Sequence, residues 1–372
     1  TLEARPVPDP EMFWGVIFVH GCLVGDDALD AALRLARSAP LHDPAFFDAV
    51  TDALVTIPHA GLEPALLEWL RAADPVLRRV AVAVLGRRRA LAAQSMVPLL
   101  SDVDPDVVRE AAAALVPLDG PVDRAVLDGM MFHADPAIAH AGMTAATVRA
   151  HFRSVVRAAE LVAMGHGEHG YALLHLATGG TAEQLPALRS AMAGPPSPLL
   201  SEALGWAGMA ESVPYLLDRA DAGDEAALAA LQRITGASLA EDEPDPLVDP
   251  DAPPFTTRFA VPPTELVLRG DAADWRRWWQ TYGHRAAPSV RWRHGRPFTL
   301  AQPLWELAER DATPWERTWA WMELVARTGR ALPFDPRAWV ATQRAQIAAW
   351  RDYLARRGAQ FPEGAWHRGG AT

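Results

Sequence analysis

A twelve-residue stretch recurs at an offset of thirty, and this periodicity constrains the fold more than any other feature of the chain. Asp74-Pro75-Val76-Leu77-Arg78-Arg79-Val80-Ala81-Val82-Ala83-Val84-Leu85 aligns with Asp104-Pro105-Asp106-Val107-Val108-Arg109-Glu110-Ala111-Ala112-Ala113-Ala114-Leu115. A third copy opens at Asp135-Pro136, with His140 and Ala141 near the Arg and Ala positions. In each copy Asp can cap a helix, Pro occupies the first helical position where a missing N–H costs nothing, and an apolar stripe follows at helical spacing. A second helix follows each first one: Val97-Pro98-Leu99-Leu100 returns as Val213-Pro214-Tyr215-Leu216-Leu217, and more loosely as Leu185-Pro186-Ala187-Leu188. The segment Ala203-Leu204-Gly205 closes a first helix ahead of Val213-Pro214. A lone helix pair cannot bury its apolar face, so such units must stack on their neighbours into an α-solenoid.

Composition agrees with an all-α chain. Half of the 372 residues are apolar, Tyr occurs four times, and β-branched residues never alternate as they do in strands. The spacing predicts helices over 28–38, 44–56, 62–72, 75–86, 92–101, 105–116, 121–132, 136–150, 152–164, 171–178, 182–193, 198–207, 211–220 and 224–235. Residues 1–239 are therefore expected to form a repeat array. A linker over 240–267 follows, in which six acidic residues alternate with seven prolines between Ala240 and Glu265; it cannot supply a packed core. The remainder, 268–372, holds eleven of the fourteen tryptophans and should form a helical cap, with helices over 272–282, 300–310, 314–328 and 335–357. Trp275, Trp278, Trp279 and Tyr282 share one face of the first of these, a face read as core. Charge divides along the same line: 18 Arg face 36 acids up to residue 267, and 17 Arg face 10 acids beyond it, within a net charge of −11.

Residue types also exclude chemistry. The chain has no Lys and no Asn, so a Schiff-base lysine, a phosphate-loop lysine, an Asn-linked glycan and a Cys-His-Asn triad are impossible. Cys22, the one cysteine, permits neither an intramolecular disulfide nor a multi-thiolate zinc site. It is expected to be a buried thiol, because His20, two residues away, is poorly placed to activate it. The apolar run Met12–Val24 is flanked by acids and is shorter than the ~20 residues that span a bilayer. The expected location is cytoplasmic.

Three clusters could carry function. Gly165-His166-Gly167-Glu168-His169-Gly170 matches the dinucleotide pattern by letter, but it follows a helical period and not a strand, so no cofactor is expected. His166, Glu168, His169 and His175 could together hold zinc or iron, which makes a helical-repeat metalloenzyme the alternative to a binding protein. Arg291, Trp292, Arg293 and Arg296 form a basic aromatic patch suited to docking a protein. Arg87-Arg88-Arg89 faces a helix C-terminus, and the acidic array around it argues against a nucleic-acid track.

Ser201 to Gly208, then Val213 to Leu217, then Ile234-Thr235-Gly236-Ala237-Ser238-Leu239 resemble the HEAT-repeat proteins encoded beside bacterial type VI secretion clusters. In that family an acidic Pro-rich stretch, a Trp-Trp helix and a Gly-Arg-Pro segment follow; the counterparts are Trp278-Trp279 and Gly295-Arg296-Pro297. The resemblance spans about 45–330 and brings no catalytic residues. It implies a HEAT-like α-solenoid of antiparallel helix pairs that acts as a non-enzymatic scaffold or adaptor. Its expected partners are secretion-system proteins or their cargo, with neither membrane nor nucleic acid among them.

Overall fold

Aspartate caps set the repeat helices in place. In the computed structural model, which describes residues 9–165, 169–237, 272–309 and 312–369, Asp74 accepts from Val76 N at 2.9 Å and Asp104 from Asp106 N at 2.9 Å. Asp135 accepts from Ala137 N at 2.9 Å. Each satisfies an orphan donor in the first turn of a helix that opens on Pro75, Pro105 or Pro136. The fold is all-α and helical-repeat in character. It comprises two compact units, Thr1–Ala146 and Thr147–Thr372.

The first unit contains α1 (Pro10–Cys22), α2 (Asp26–Ser38), α3 (Pro44–Thr56), α4 (Leu62–Trp69), α5 (Pro75–Arg87), α6 (Ala93–Met96), α7 (Pro105–Ala114), α8 (Arg124–Met131) and most of α9 (Pro136–Val148). The odd-numbered helices α1, α3, α5 and α7 pack successively against one another, and the even-numbered ones return the chain between them. One buried cluster runs from Phe13 through Val50, Leu66, Val84 and Leu115 to Ala141. Arginines join neighbouring repeats: Arg78 to Asp102 at 2.8 Å and Arg109 to Asp135 at 2.6 Å. Arg88 donates to the carbonyls of Val55 and Ile57, at 2.9 and 2.7 Å, at the C-terminal end of α3.

The second unit contains α10 (Arg153–Met164), α11 (Tyr171–Gly179), α12 (Leu185–Ala191), α13 (Pro198–Ala207), α14 (Val213–Asp221) and α15 (Glu225–Thr235). After the undescribed residues come α16 (Ala272–Tyr282), the strands β1 (Trp292–Arg293) and β2 (Arg296–Pro297), α17 (Ala301–Ala308), α18 (Pro314–Thr328) and α19 (Val340–Arg357). Again α11, α13 and α15 pack in succession, while α18 lies on α11, α17 lies on α18, and α16 lies on α14. The compact division thus falls near the end of α9, and the Trp-rich region shares a unit with the later repeats; the expected linker, 240–267, lies outside the described residues.

Several expectations need correction. Most of the run Met12–Val24, for which the spacing predicts no helix, lies in α1, capped by Asp9, whose carboxylate accepts from Met12 N at 2.6 Å. Cys22 at its end is exposed, because the buried stripe of α1 is Phe13, Ile17 and Gly21. The helix over 92–101 is only Ala93–Met96 followed by a 3-10 turn, Val97–Ser101, and the last helix begins at Val340, not at 335. No helix among the described residues is long and apolar enough to cross a membrane.

Glycine lets helices of one row approach closely. A Cβ on Gly86 of α5 would lie 2.5 Å from the Ala114 Cβ of α7, and one on Gly205 of α13 would lie 2.7 Å from Ala230 Cα of α15. Gly129 of α8 has open space instead. Gly86→Ala should therefore destabilise the protein by about 1–2 kcal/mol, overpacking outweighing the gain in helix propensity. Gly129→Ala should stabilise by up to about 1 kcal/mol. Urea unfolding of the two variants should move the midpoint in opposite directions.

Candidate protein-binding cleft and the arginine cluster behind it

Helix C-termini leave carbonyls without partners, and three of them in the second unit end side by side: α11, α13 and α15. The β1–β2 hairpin and three arginines close these ends. His294 N donates to Arg233 O at 2.7 Å and Gly295 N to Ile234 O at 3.0 Å, completing α15; Trp292 N donates to Gly208 O at 2.8 Å, at the end of α13. Both helices stop on a left-handed glycine that the hairpin backbone touches. A Cβ at Gly208 (φ +69°) would sit 2.2 Å from Trp292 O, and one at Gly236 (φ +66°) 2.5 Å from His294 C. The hairpin turns through His294 (φ +52°) and Gly295 (φ +71°), as a two-residue connection with both φ values positive requires. Its register pairs Trp292 with Pro297 and Arg293 with Arg296.

Arg291 donates to Trp206 O at 2.8 Å and Ala207 O at 3.2 Å, and Arg327 to Gly180 O at 2.6 Å and Ala177 O at 3.3 Å. Arg291 and Arg293 share the two oxygens of Glu323, and Arg293 also stands 3.5 Å from Glu306, which His294 contacts at 2.8 Å. Arg291, Arg293, Arg327 and Glu323 are all 0% exposed. Three buried cations against two buried carboxylates leave one positive charge in excess, and the negative ends of the helix dipoles lie where it is held. Burial depresses the Arg291 guanidinium, with Glu323 opposing, and depresses Arg327 well below its ordinary value, with Arg291 adding repulsion. Both keep their proton at neutral pH because a guanidinium starts so high. Burial would raise the Glu306 carboxyl, but Arg293 and His294 outweigh it and hold it below the usual value. The Trp206 ring has the Arg233 guanidinium at 4.2 Å and that of Arg293 at 4.6 Å.

The docking patch read from sequence therefore divides. Arg291 and Arg293 face inward and cannot meet a partner; Arg296 is exposed and Trp292 half-buried on the outer side. The aromatic face of α16 also departs from expectation. Only Trp275 is core, at 2% exposed, whereas Trp278 and Trp279 are half-buried and Tyr282 is 41% exposed. These rings wall a cleft of about 200 Å³ between α16, the end of α15 and the hairpin, lined also by Ile234, Thr235, Trp292 and Arg285. Trp278 stacks with Trp279 at 6.5 Å between centroids and meets Tyr282 at 5.2 Å. Arg276 anchors α16 to α14 through Asp218 at 2.8 Å and through Asp221. Trp292 spends its indole N–H on Ala287 O at 3.2 Å, while those of Trp278 and Trp279 have no partner among the described residues. Helical spacing shows which residues share a side, not whether a neighbour covers it.

Of the proposed metal ligands, His166 and Glu168 lie outside the described residues. His169 precedes α11, and His175 within α11 is buried at 2% exposure with its ring edge-to-face on Trp319 at 5.0 Å. No protein-family model matches the chain, and no curated protein matches it.

Glu323→Gln should cost about 3–5 kcal/mol, because it leaves two buried guanidinium groups with a neutral partner. Urea denaturation should show the loss, and Arg285→Ala at the cleft mouth should leave the midpoint unchanged. A pH dependence follows from His367: its ring stacks on Phe361 at 5.6 Å, and its own carbonyl accepts from Arg327 at 2.6 Å. Burial, with the Arg327 charge adding to it, lowers its imidazole to about 4, below the ordinary 6.5. Between these values the unfolded chain binds the proton and the folded one does not, so stability is full above about pH 6.5 and falls as pH drops toward 4. Urea unfolding at stepped pH should show a loss in this window that is about 1–2 kcal/mol smaller in His367→Gln.

Proposed function

We propose that the chain is a non-enzymatic protein-binding scaffold that holds a partner in the aromatic cleft of its second unit. The observation that supports this best is the pair Trp278 and Trp279. Large aromatic rings half-open to solvent, with unspent indole donors, on a rigid helix anchored by buried Trp275 and by Arg276, have the character of interface anchors. The hairpin that supplies Trp292 is held by backbone hydrogen bonds to α13 and α15, so little conformational entropy remains to be lost on binding. The resemblance in the repeats and in the Trp278-Trp279 and Gly295-Arg296-Pro297 segments suggests a bacterial type VI secretion component or its cargo as partner. With a single cysteine, and so no intramolecular disulfide, cytoplasmic residence accompanies this reading.

Affinity capture from the native bacterium, followed by mass spectrometry, tests it. The wild-type chain should retain a discrete partner that a Trp278→Ala/Trp279→Ala chain loses, while circular dichroism and the urea midpoint of the double variant stay close to wild type. Retention of the same partner by the folded double variant would remove the cleft from this role.

A further inference from the structure

We infer that the cleft recognises an acidic, proline-rich segment of a partner protein; the inference rests on the proposed binding role and adds the chemistry of the ligand. The lining residues determine which groups a ligand must bring. Trp278, Trp279, Tyr282 and Trp292 present ring faces, and the only charged side chain among the described lining residues is Arg285, whose guanidinium sits 5.3 Å from the Tyr282 ring. No Asp or Glu is among them. The polar side chains described there offer mostly donors: the two indole N–H groups, Arg285 and the Tyr282 hydroxyl, which can also accept. The one other hydroxyl, Thr235 Oγ1, already donates to Leu231 O at 2.7 Å and accepts from Ala237 N at 3.2 Å. A complementary ligand is rich in acceptors, poor in donors, carries compact apolar rings and is anionic.

Proline-rich acidic peptide meets each demand. Proline has no N–H to leave unsatisfied, its carbonyls point outward in the polyproline II form and accept from indole N–H groups, and its ring packs flat on aromatic faces. Carboxylates beside the prolines match Arg285. A cationic peptide would meet Arg285 without a compensating acid among the described lining residues. Single-stranded nucleic acid could stack on the same rings, but one arginine among the described lining residues is a thin track for a phosphate backbone.

Isothermal titration calorimetry of the full chain with a capped ten-residue peptide, proline at every third position and glutamate between, tests the inference. Three residues per turn bring those prolines to one edge. Binding should weaken at least tenfold with Trp278→Ala, with Arg285→Glu, and when the peptide's glutamates are replaced by lysine or its prolines by alanine. No binding by wild type, with capture still dependent on the cleft, would overturn the ligand chemistry and leave the binding role standing. Tighter binding of a ten-nucleotide oligo-dT would assign the cleft to nucleic acid and overturn the inference. Peptide binding that appears or strengthens only when Pro244, Pro246, Pro250, Pro253 and Pro254 are changed to Ser would name the chain's own acidic segment as occupant, and overturn the assignment to a partner.

Discussion

Buried arginines on the carbonyl ends of stacked helices hold the second unit together. A row of parallel helices brings several negative dipole ends to one side, where apolar side chains would leave carbonyls unpaired and the charge uncompensated. Arg291 and Arg327 answer both needs at α13 and α11, and the hairpin backbone answers at α15. Glu323 then has to lie between Arg291 and Arg293, because two guanidinium groups cannot share a dry site without a carboxylate. The same logic appears in the first unit, where Arg88 donates to the carbonyls at the end of α3.

The position of the cleft follows from this arrangement. Trp292 reaches its wall because the neighbouring Arg291 and Arg293 are directed inward, as alternation along a strand demands. The His294-Gly295 turn lies on Ile234 and Thr235, which brings the end of α15 into the same wall. The inner face of the hairpin is thus spent on stability and its outer face borders the cleft. A substitution at Glu323 would disturb both, whereas one at Arg285 touches only the mouth.

Much of the fold was legible from local chemistry. The Asp-Pro openings at Asp74, Asp104 and Asp135 cap helices as the repeat implies, and the spans 44–56, 198–207, 272–282 and 314–328 coincide with α3, α13, α16 and α18. Caps and prolines act within one turn, so their effect can be read without knowing the neighbours. Less legible was α1, whose uniformly apolar sequence shows little periodicity and whose stripe of burial was hidden for that reason. Exposed Cys22 was missed on the same account.

Taken alone, the sequence determined an all-α chain of repeated helix pairs, excluded lysine, asparagine and intramolecular disulfide chemistry, and marked the Trp- and Arg-rich end as distinct. Only the tertiary structure decided which of Arg291, Trp292, Arg293 and Arg296 face inward, that Glu323 pairs with the two buried cations, and that Trp278 and Trp279 stand open while Trp275 is core. The physical reason is range. Helix formation and capping depend on residues within four positions, whereas the burial of an arginine depends on carbonyls 84 and 85 residues away, at Ala207 and Trp206.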